Sequence, residues 1–271
     1  ALRRAVLASA AIDQNLALPP PFTSVRPNFG LESLTRAADG VHWTANEEAL
    51  SVDGPLSTPQ AGTLVRLLRL APSGESLTPT RQLAYETAPI HGPTTAQARS
   101  GLCALVALPS GRMLSLERSF ALNFASLFQS RIYELDLAGA GDVGHLASLV
   151  TPTPIPPIVP VGKRLLHRAF HANMEGLALG PPLANGGHAL LGIVDDGDPL
   201  STNQLVAFRL TGPVEPPCPA DIDADGDADS DDIIAFFIAW EEAAPPADLD
   251  GDADTDSDDV VVFFTAFEGG C

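Results

Sequence analysis

The feature that most limits how this chain can fold is a duplicated segment near its C-terminal end. Residues 221–240, DIDADGDADSDDIIAFFIAW, align without gaps with residues 248–267, DLDGDADTDSDDVVVFFTAF. In each copy a loop with an aspartate at nearly every second position precedes a short apolar run. Such a run after a polar loop predicts a short helix that packs against its counterpart. We therefore expect a small α module built from two loop–helix units.

The aspartates of each loop have the spacing of a twelve-residue calcium loop. Carboxylates stand at positions 1, 3, 5, 9 and 12, and the backbone carbonyl at position 7 can add a ligand, an arrangement that suits the hard cation Ca²⁺. Position 12 is aspartate in both copies, where EF-hand sensors have glutamate. These EF-hand-like loops predict as ligands Asp221, Asp223, Asp225, Asp227, Asp229 and Asp232 in the first copy, and Asp248, Asp250, Asp252, Asp254, Asp256 and Asp259 in the second.

The sharp turn at position 6 distinguishes the two loops. This position is Gly226 in the first copy and Ala253 in the second. Alanine pays a steric cost at positive φ that glycine does not. We therefore expect the second site to be the weaker one.

Half of the acidic residues of the chain lie in this module. Residues 218–271 contain 17 of the 34 Asp and Glu and none of the 15 Lys and Arg. Such a surface repels nucleic acid phosphates and anionic lipids, so neither is an expected partner, and it attracts cations. A solvated acidic tail is the alternative interpretation, but tails of that kind do not carry apolar runs at matched spacing. Without metal the aspartates would repel one another, so we expect calcium to fold the module.

The cysteines indicate an oxidising compartment. Cys218 and Cys271 bracket the acidic module, which favours a disulfide between them and a secreted or cell-surface protein. Cys103 lies in the apolar run GLCALVALP, where a buried, unreactive thiol is expected. No apolar run approaches the ~20 residues needed to cross a bilayer, so no membrane span is predicted.

Two calcium loops, each followed by one helix and with no helix ahead of the loop, resemble a dockerin. The resemblance implies that the residues at positions 10 and 11 help to recognise a cohesin partner. Those residues are Ser230, Asp231, Ser257 and Asp258. A cohesin-like or cell-envelope protein is therefore the expected partner.

The rest of the chain reads as short apolar strands separated by turn residues. Strands are predicted in three groups, of which the first strands begin at Leu31, Leu102 and Met174, at nearly equal intervals. A four-stranded unit that recurs at a steady interval is typical of β-propeller blades. The third group has only three strands, so we expect a closing strand from the N-terminal side. Three blades do not close a ring of ~4 to 8 blades, so we expect a partial ring that lacks N-terminal blades.

These predictions divide the chain into three segments. Residues 1–210 form a mainly β propeller region, residues 211–217 form a linker, and residues 218–271 form the calcium-binding module. The proline-rich stretch at 151–160 is expected to be a surface excursion within the second blade.

Several stretches of the β region resemble the phytase-like family of the "esterase-like activity of phytase" type. They are NFGLESLT at 28–35, TANEEAL at 44–50, LPSGRMLSLERSF at 108–120, NMEGLALG at 173–180, and LLGIVDDGDP followed by TNQLVAFRL. The resemblance implies a calcium-dependent hydrolase of phosphate or other small-molecule esters, since propeller phytases are calcium-dependent phosphatases. One position departs from this resemblance. After the paired aspartates the family is expected to have a polar residue, and this chain has Gly197.

Acidic residues recur at similar places in the predicted blades. First strands line the channel of a propeller, so these side chains should converge and hold a divalent cation that polarises an ester oxygen. Arg118 can hold an anionic substrate oxygen, although a Glu beside an Arg is also typical of a structural ion pair. The predicted channel residues are Glu32, Glu47, Glu117, Arg118, Glu175, Asp195 and Asp196.

Two functions from different classes remain open. The first is an exported calcium-dependent ester hydrolase that is attached through the dockerin-like module. The second is a non-catalytic surface propeller for binding or display. No serine-hydrolase, zinc-protease or phosphate-loop motif is found. His167 and His171 have metal-ligand spacing in HRAFH, which we interpret as coincidence at a strand-to-loop junction.

Overall fold

A computed structural model shows the chain as two compact units, residues 1–214 and 215–271. The structure describes residues 3–6, 11–93, 95–122, 127–150, 157–184, 186–195, 203–212, 214, 218–223 and 228–269. Six residues singled out above lie outside these ranges: Asp196, Gly197, Asp225, Gly226, Asp227 and Cys271. Within the described ranges, no helix is both long and apolar enough to span a membrane.

Antiparallel sheets form the first unit. A two-stranded sheet pairs β1 (Arg3–Val6) with β2 (Ala11–Asn15). The next sheet contains β3 (Leu31–Arg36), β4 (His42–Asn46), β5 (Leu64–Ser73) and β6 (Ser76–Glu86). Another four-stranded sheet contains β7 (Arg99–Ala107), β8 (Met113–Phe120), β9 (Phe128–Asp136) and β10 (Gly162–Ala169). A three-stranded sheet contains β11 (Met174–Pro182), β12 (His188–Val194) and β13 (Gln204–Leu210).

The three predicted groups of strands correspond to the sheets β3–β6, β7–β10 and β11–β13, and the third has only three strands as expected, so the mainly β architecture is confirmed. The strands of each sheet follow one another in chain order, as in blades that are built from consecutive hairpins. Closure of these sheets into a ring is not shown and stays a prediction.

The expected closing strand for the third sheet is not observed among the described residues. β1 and β2 lie on the N-terminal side, but they pair with each other, and β13 pairs with β12. The strands of a hairpin satisfy their backbone hydrogen bonds with each other. Neither β1 nor β2 is therefore seen as the fourth strand of the sheet β11–β13.

The first strands of the three sheets are neighbours. β7 contacts both β3 and β11, and it is buried over most of its length because the near-continuous apolar run GLCALVA lies between two sheets. Buried side chains fill the space between consecutive sheets. One cluster includes Trp43, Tyr85, Leu102 and Met113, and another includes Leu114, Ile132, Met174 and Leu190.

Among its described residues, the second unit contains two α-helices, α1 (Ser230–Glu241) and α2 (Ser257–Gly269), as the repeat predicts. Phe236 and Phe263, which correspond in the repeat, are fully buried and stack with ring centroids 4.4 Å apart. The Trp240 side chain donates from Nε1 to the backbone oxygen of Asp256 at 3.2 Å. Each helix therefore packs on its repeat partner, and α1 also supports the loop of the second copy.

Candidate functional site

Each first strand carries a β-bulge at an equivalent position. In β3 the pairing with β4 passes from Leu31 to Ser33, which leaves Glu32 as the extra residue. The same register shift leaves Cys103 extra in β7 and Glu175 extra in β11. Each of the three directly follows the residue at which the sequence predicts a first strand to begin, so they recur at the same steady interval. A bulge re-aims a side chain, and all three side chains line one cavity of about 370 Å³.

The second strands contribute another equivalent set. Glu47, Arg118 and Asp195 each directly follow the residue that is paired just before the bulge. All three line the same cavity, together with Asn28, Phe29 and Asn173. The structure therefore brings together five of the predicted channel residues: Glu32, Glu47, Arg118, Glu175 and Asp195.

Glu117 does not line this cavity, contrary to its placement from the sequence. Neighbouring side chains on a strand point to opposite faces, so Arg118 faces the cavity and Glu117 faces the interior. The fully buried Glu117 accepts hydrogen bonds from the Tyr85 hydroxyl at 2.6 Å, Lys163 at 2.5 Å and the backbone N–H of Ala88 at 2.8 Å. Lys163 also lies over the rings of Tyr85 and Tyr133. Glu117 therefore belongs to a packed structural network.

Arg118 is the centre of the polar network in the cavity. Its Nη2 donates to Glu47 at 2.5 Å, and its Nη1 donates to Glu175 at 2.5 Å and to Asn173 at 2.7 Å. Asn173 in turn donates to Glu175 at 2.9 Å and to the backbone oxygen of Asp195 at 2.5 Å. Nε of Arg118 is buried and has no hydrogen-bond partner within the described residues. The guanidinium of Arg118, in the sheet β7–β10, is thus held in one orientation by groups at the edges of the two other sheets, β3–β6 and β11–β13.

Glu47 lies at the buried end of the cavity. It is 5% exposed, whereas Glu32 and Asp195 are exposed. Burial raises the pKa of Glu47, the ion pair with Arg118 opposes that rise, and the neighbouring Glu32 and Glu175 add to it. Gly101 allows this approach, because a Cβ there would lie 2.6 Å from Cγ of Glu47. A carboxyl whose pKa is moved toward neutrality, beside a fixed guanidinium in a cavity, is typical of a functional site.

Three residues of this region were not assigned a role from the sequence. Cys103 is buried and free, as expected, but it occupies the position that is Glu32 or Glu175 in the other sheets. Burial raises the pKa of its thiol, so it is a poor nucleophile. Asn173 orients Arg118, and Glu48 is a second buried carboxyl next to Glu47. Cys103 follows the start of its predicted first strand just as Glu32 and Glu175 follow theirs. The steady interval could therefore have predicted that Cys103 lines the same cavity.

Comparison with known proteins assigns the first unit to a family. The model of the phytase-like family, described as esterase-like activity of phytase, matches residues 1–198. The chain belongs to the phytase-like family. No curated protein and no solved structure gives a significant match. The phytase-like match includes Asp195 and every other residue that lines the cavity, and it ends before the acidic module.

Outside the phytase-like match, the acidic loops form groups that could hold metal ions. The carboxylates of Asp221, Asp223 and Asp232 have oxygens within 4.8 Å of one another. In the second loop, the six predicted ligands form two such groups, namely Asp248, Asp250 and Asp252, and Asp254, Asp256 and Asp259. Among the described residues, every group of three or more potential metal ligands within this distance lies in the module. The cavity carboxylates therefore do not come as close together as those of the loops.

The aspartate at position 12 closes each loop. Asp232 accepts backbone hydrogen bonds from Ile222, Asp223 and Asp229, and Asp259 accepts the equivalent bonds from Leu249, Asp250 and Asp256. These backbone hydrogen bonds lower the pKa of both carboxyls. The largest effect comes from the N–H of Asp229 on Asp232 and from the N–H of Asp256 on Asp259. Both loops therefore have the same internal bracing, with the carboxylates held at the start of a helix.

The turn at position 6 of the second loop is strained. Ala253 has φ 75°, one of the few positive values among non-glycine residues in the described part of the chain. This agrees with the conformation that the sequence required at this position.

Proposed function

We propose that the first unit is an exported hydrolase of phosphate or other small-molecule esters, and that its cavity is the active site. The observation that carries the proposal is the buried Glu47, with its raised pKa, held 2.5 Å from Arg118 in a cavity. Membership of a family described by esterase-like activity supports the same class of reaction.

In the proposed reaction Glu47 acts as a general base. It accepts a proton from water as the water oxygen attacks the ester centre, the bond between that centre and the leaving oxygen breaks, and Glu47 passes the proton to the leaving oxygen. Arg118 stabilises the negative charge that develops on the ester oxygen. Asn173 and Glu175 are positioning residues, because they hold the guanidinium rather than the reacting atoms.

A cavity calcium ion is not used in this mechanism. The cavity carboxylates do not converge as the loop aspartates do, and Arg118 bridges Glu47 and Glu175 directly. Calcium dependence of the hydrolysis therefore stays a prediction from the sequence, and we assign calcium to the module.

The experiment compares matched Glu→Gln variants of the full chain. Hydrolysis of an aryl phosphate, an aryl acetate and inositol hexakisphosphate is measured with calcium and with chelator. Glu47→Gln should lower kcat by about 100-fold or more, whereas Glu175→Gln should lower it less. Glu117→Gln is the control for a buried glutamate outside the cavity, and it should reduce stability by up to about 4 kcal/mol while folded protein keeps its turnover.

A non-catalytic surface propeller is the alternative function. It is favoured by one observation, that both terminal nitrogens of Arg118 are already bonded to protein oxygens, as in a structural ion pair. A folded wild-type chain that hydrolyses none of the three substrates, or a Glu47→Gln variant with unchanged turnover, would support this alternative.

We propose that the acidic module is dockerin-like, folds around calcium and attaches the protein to a cohesin-like or cell-envelope partner. The convergent aspartates support a hard cation. Exposed apolar side chains on the helices support a partner site: Ile234 is 59%, Ile238 56% and Val261 63% exposed. The proposed Cys218–Cys271 disulfide and an extracellular location complete this assignment.

Two measurements on the full chain test the module. Asp221→Asn and Asp248→Asn should each remove one calcium site in calorimetry, and unchanged calcium binding in both would exclude the loop assignment. The calcium-loaded chain should capture a specific envelope protein that the alanine variants of Ser230, Asp231, Ser257 and Asp258 capture less. Equal capture would exclude recognition through positions 10 and 11.

A further inference from the structure

His167 and His171, whose spacing alone indicated no site, lie together between the sheet β7–β10 and the sheet β11–β13. His167 lies in β10 and His171 in the connection to β11, and their Nε2 atoms are 3.0 Å apart. The spacing of four residues brings them together here without a helix. β10 has a register shift between Leu165 and His167, and the chain bends at residues 172 and 173, just after His171. A bulge that re-aims a side chain is a common device next to functional sites.

The two imidazoles are also held in place from the third sheet. The ring of Phe208, in β13, makes edge contacts with His167 at 4.9 Å and with His171 at 5.8 Å. The histidine rings themselves stack at 27° with centroids 5.3 Å apart. Both side chains are half-buried, so they are restrained by packing but still accessible to a small ion. This preorganisation is what a chelating pair requires.

The separation of the two nitrogens matches two ligands of one metal ion. With metal–nitrogen bonds of about 2.0–2.1 Å, nitrogens 3.0 Å apart subtend about 90° at the ion. This is the angle between neighbouring ligands in octahedral or square-planar geometry, and a small opening of the pair gives the tetrahedral angle. Imidazole nitrogen suits Zn²⁺, Ni²⁺ and Cu²⁺ and is a poor ligand for Ca²⁺.

We propose that His167 and His171 form a two-histidine binding site for a divalent transition metal of the zinc–nickel–copper class. The site is distinct in chemistry from the oxygen ligands of the acidic loops. Its remaining coordination positions are open to water or to an external ligand. A bound ion would fix the connection of residues 170–173, and Asn173 at the end of this connection orients Arg118 in the cavity.

The competing explanation is a hydrogen bond between the two rings, in which one Nε2 donates and the other accepts. A direct test is Cu²⁺ electron paramagnetic resonance of the full chain, with excess Ca²⁺ present to occupy the acidic loops. One equivalent of Cu²⁺ should show coupling to two imidazole nitrogens, and to one in His167→Gln or His171→Gln. A wild-type spectrum with oxygen ligands alone would overturn the proposal, and this result does not depend on how the variants fold.

Affinity gives an independent measurement. Zn²⁺ titration by calorimetry, again in excess Ca²⁺, should give one site whose affinity falls at least about tenfold in either variant. The exposed His145 provides the matched control, and His145→Gln should bind Zn²⁺ like the wild type. Zn²⁺ should also raise the Tm of the wild type and of the control, but not of the double variant His167→Gln, His171→Gln. Equal Zn²⁺ affinity in wild type and double variant would refute the site.

Discussion

Replacing Ala253 by glycine should strengthen the second calcium site. Ala253 has φ 75°, a left-handed conformation that costs a residue with a Cβ about 1–2 kcal/mol. Glycine removes this cost, but it loses about 0.5–1 kcal/mol more conformational entropy on ordering. The net gain is about 0.5–1 kcal/mol, which corresponds to roughly a two- to fivefold change in an equilibrium constant.

The gain should appear as calcium affinity, because ordering of a metal loop is coupled to binding. Calorimetric titration of the full chain should therefore show a second site about two- to fivefold tighter in Ala253→Gly, with the first site unchanged. Trp240 donates to the backbone of the second loop, so its fluorescence should follow the same titration. The Trp240→Phe variant identifies that signal, since the equivalent residue of the repeat is Phe267.

Two alanine controls separate loop strain from general effects of glycine. Ala243, directly after the C-cap of α1, has φ 47°, so Ala243→Gly should stabilise the module without a preference for the second site. Ala228, at position 8 of the first loop, is not among the described residues with positive φ, and Ala228→Gly should weaken the first site. A second site that is unchanged or weaker in Ala253→Gly would refute the reasoning, because the loop would then not depend on this turn.

Two further substitutions test the first unit. Burial raises the pKa of Glu48 to about 7, so ionisation of Glu48 lowers the free energy of unfolding as pH rises from about 4.5 to about 7. In denaturation experiments, Glu48→Gln should remove up to about 3 kcal/mol of this pH-dependent loss of unfolding free energy. The control Glu86→Gln, at an exposed position, should not. Gly101→Ala should displace Glu47, which should lower turnover and reduce the free energy of unfolding by about 1–3 kcal/mol. Gly139→Ala is the control, because a Cβ at Gly139 would have no atom within 4 Å. A pH profile unchanged by Glu48→Gln, or wild-type turnover in Gly101→Ala, would contradict these accounts.

Strand positions were readable from the sequence because each strand is a short apolar run between turn residues. The steady interval between first strands also located the bulged positions, although it could not reveal that the chain bulges there. Glu117 shows the limit of this reasoning, since one register step decides between the cavity and the interior. The partners of Glu117, Tyr85 and Lys163, are far away in the chain, and nothing in local sequence indicates them.

The charge of the cavity makes the choice of substrate informative. Among its described lining residues, four carboxylates face one guanidinium, and Arg118 is already paired with two of them. A phosphate monoester brings about two further negative charges and is repelled, whereas a neutral carboxylic ester is not. If the cavity acts without a metal, hydrolysis of the aryl acetate should persist in chelator and exceed that of the aryl phosphate. If phosphate hydrolysis dominates and is lost in chelator, then a cation must offset the carboxylates, and the calcium role predicted from the sequence belongs to the cavity as well as to the module.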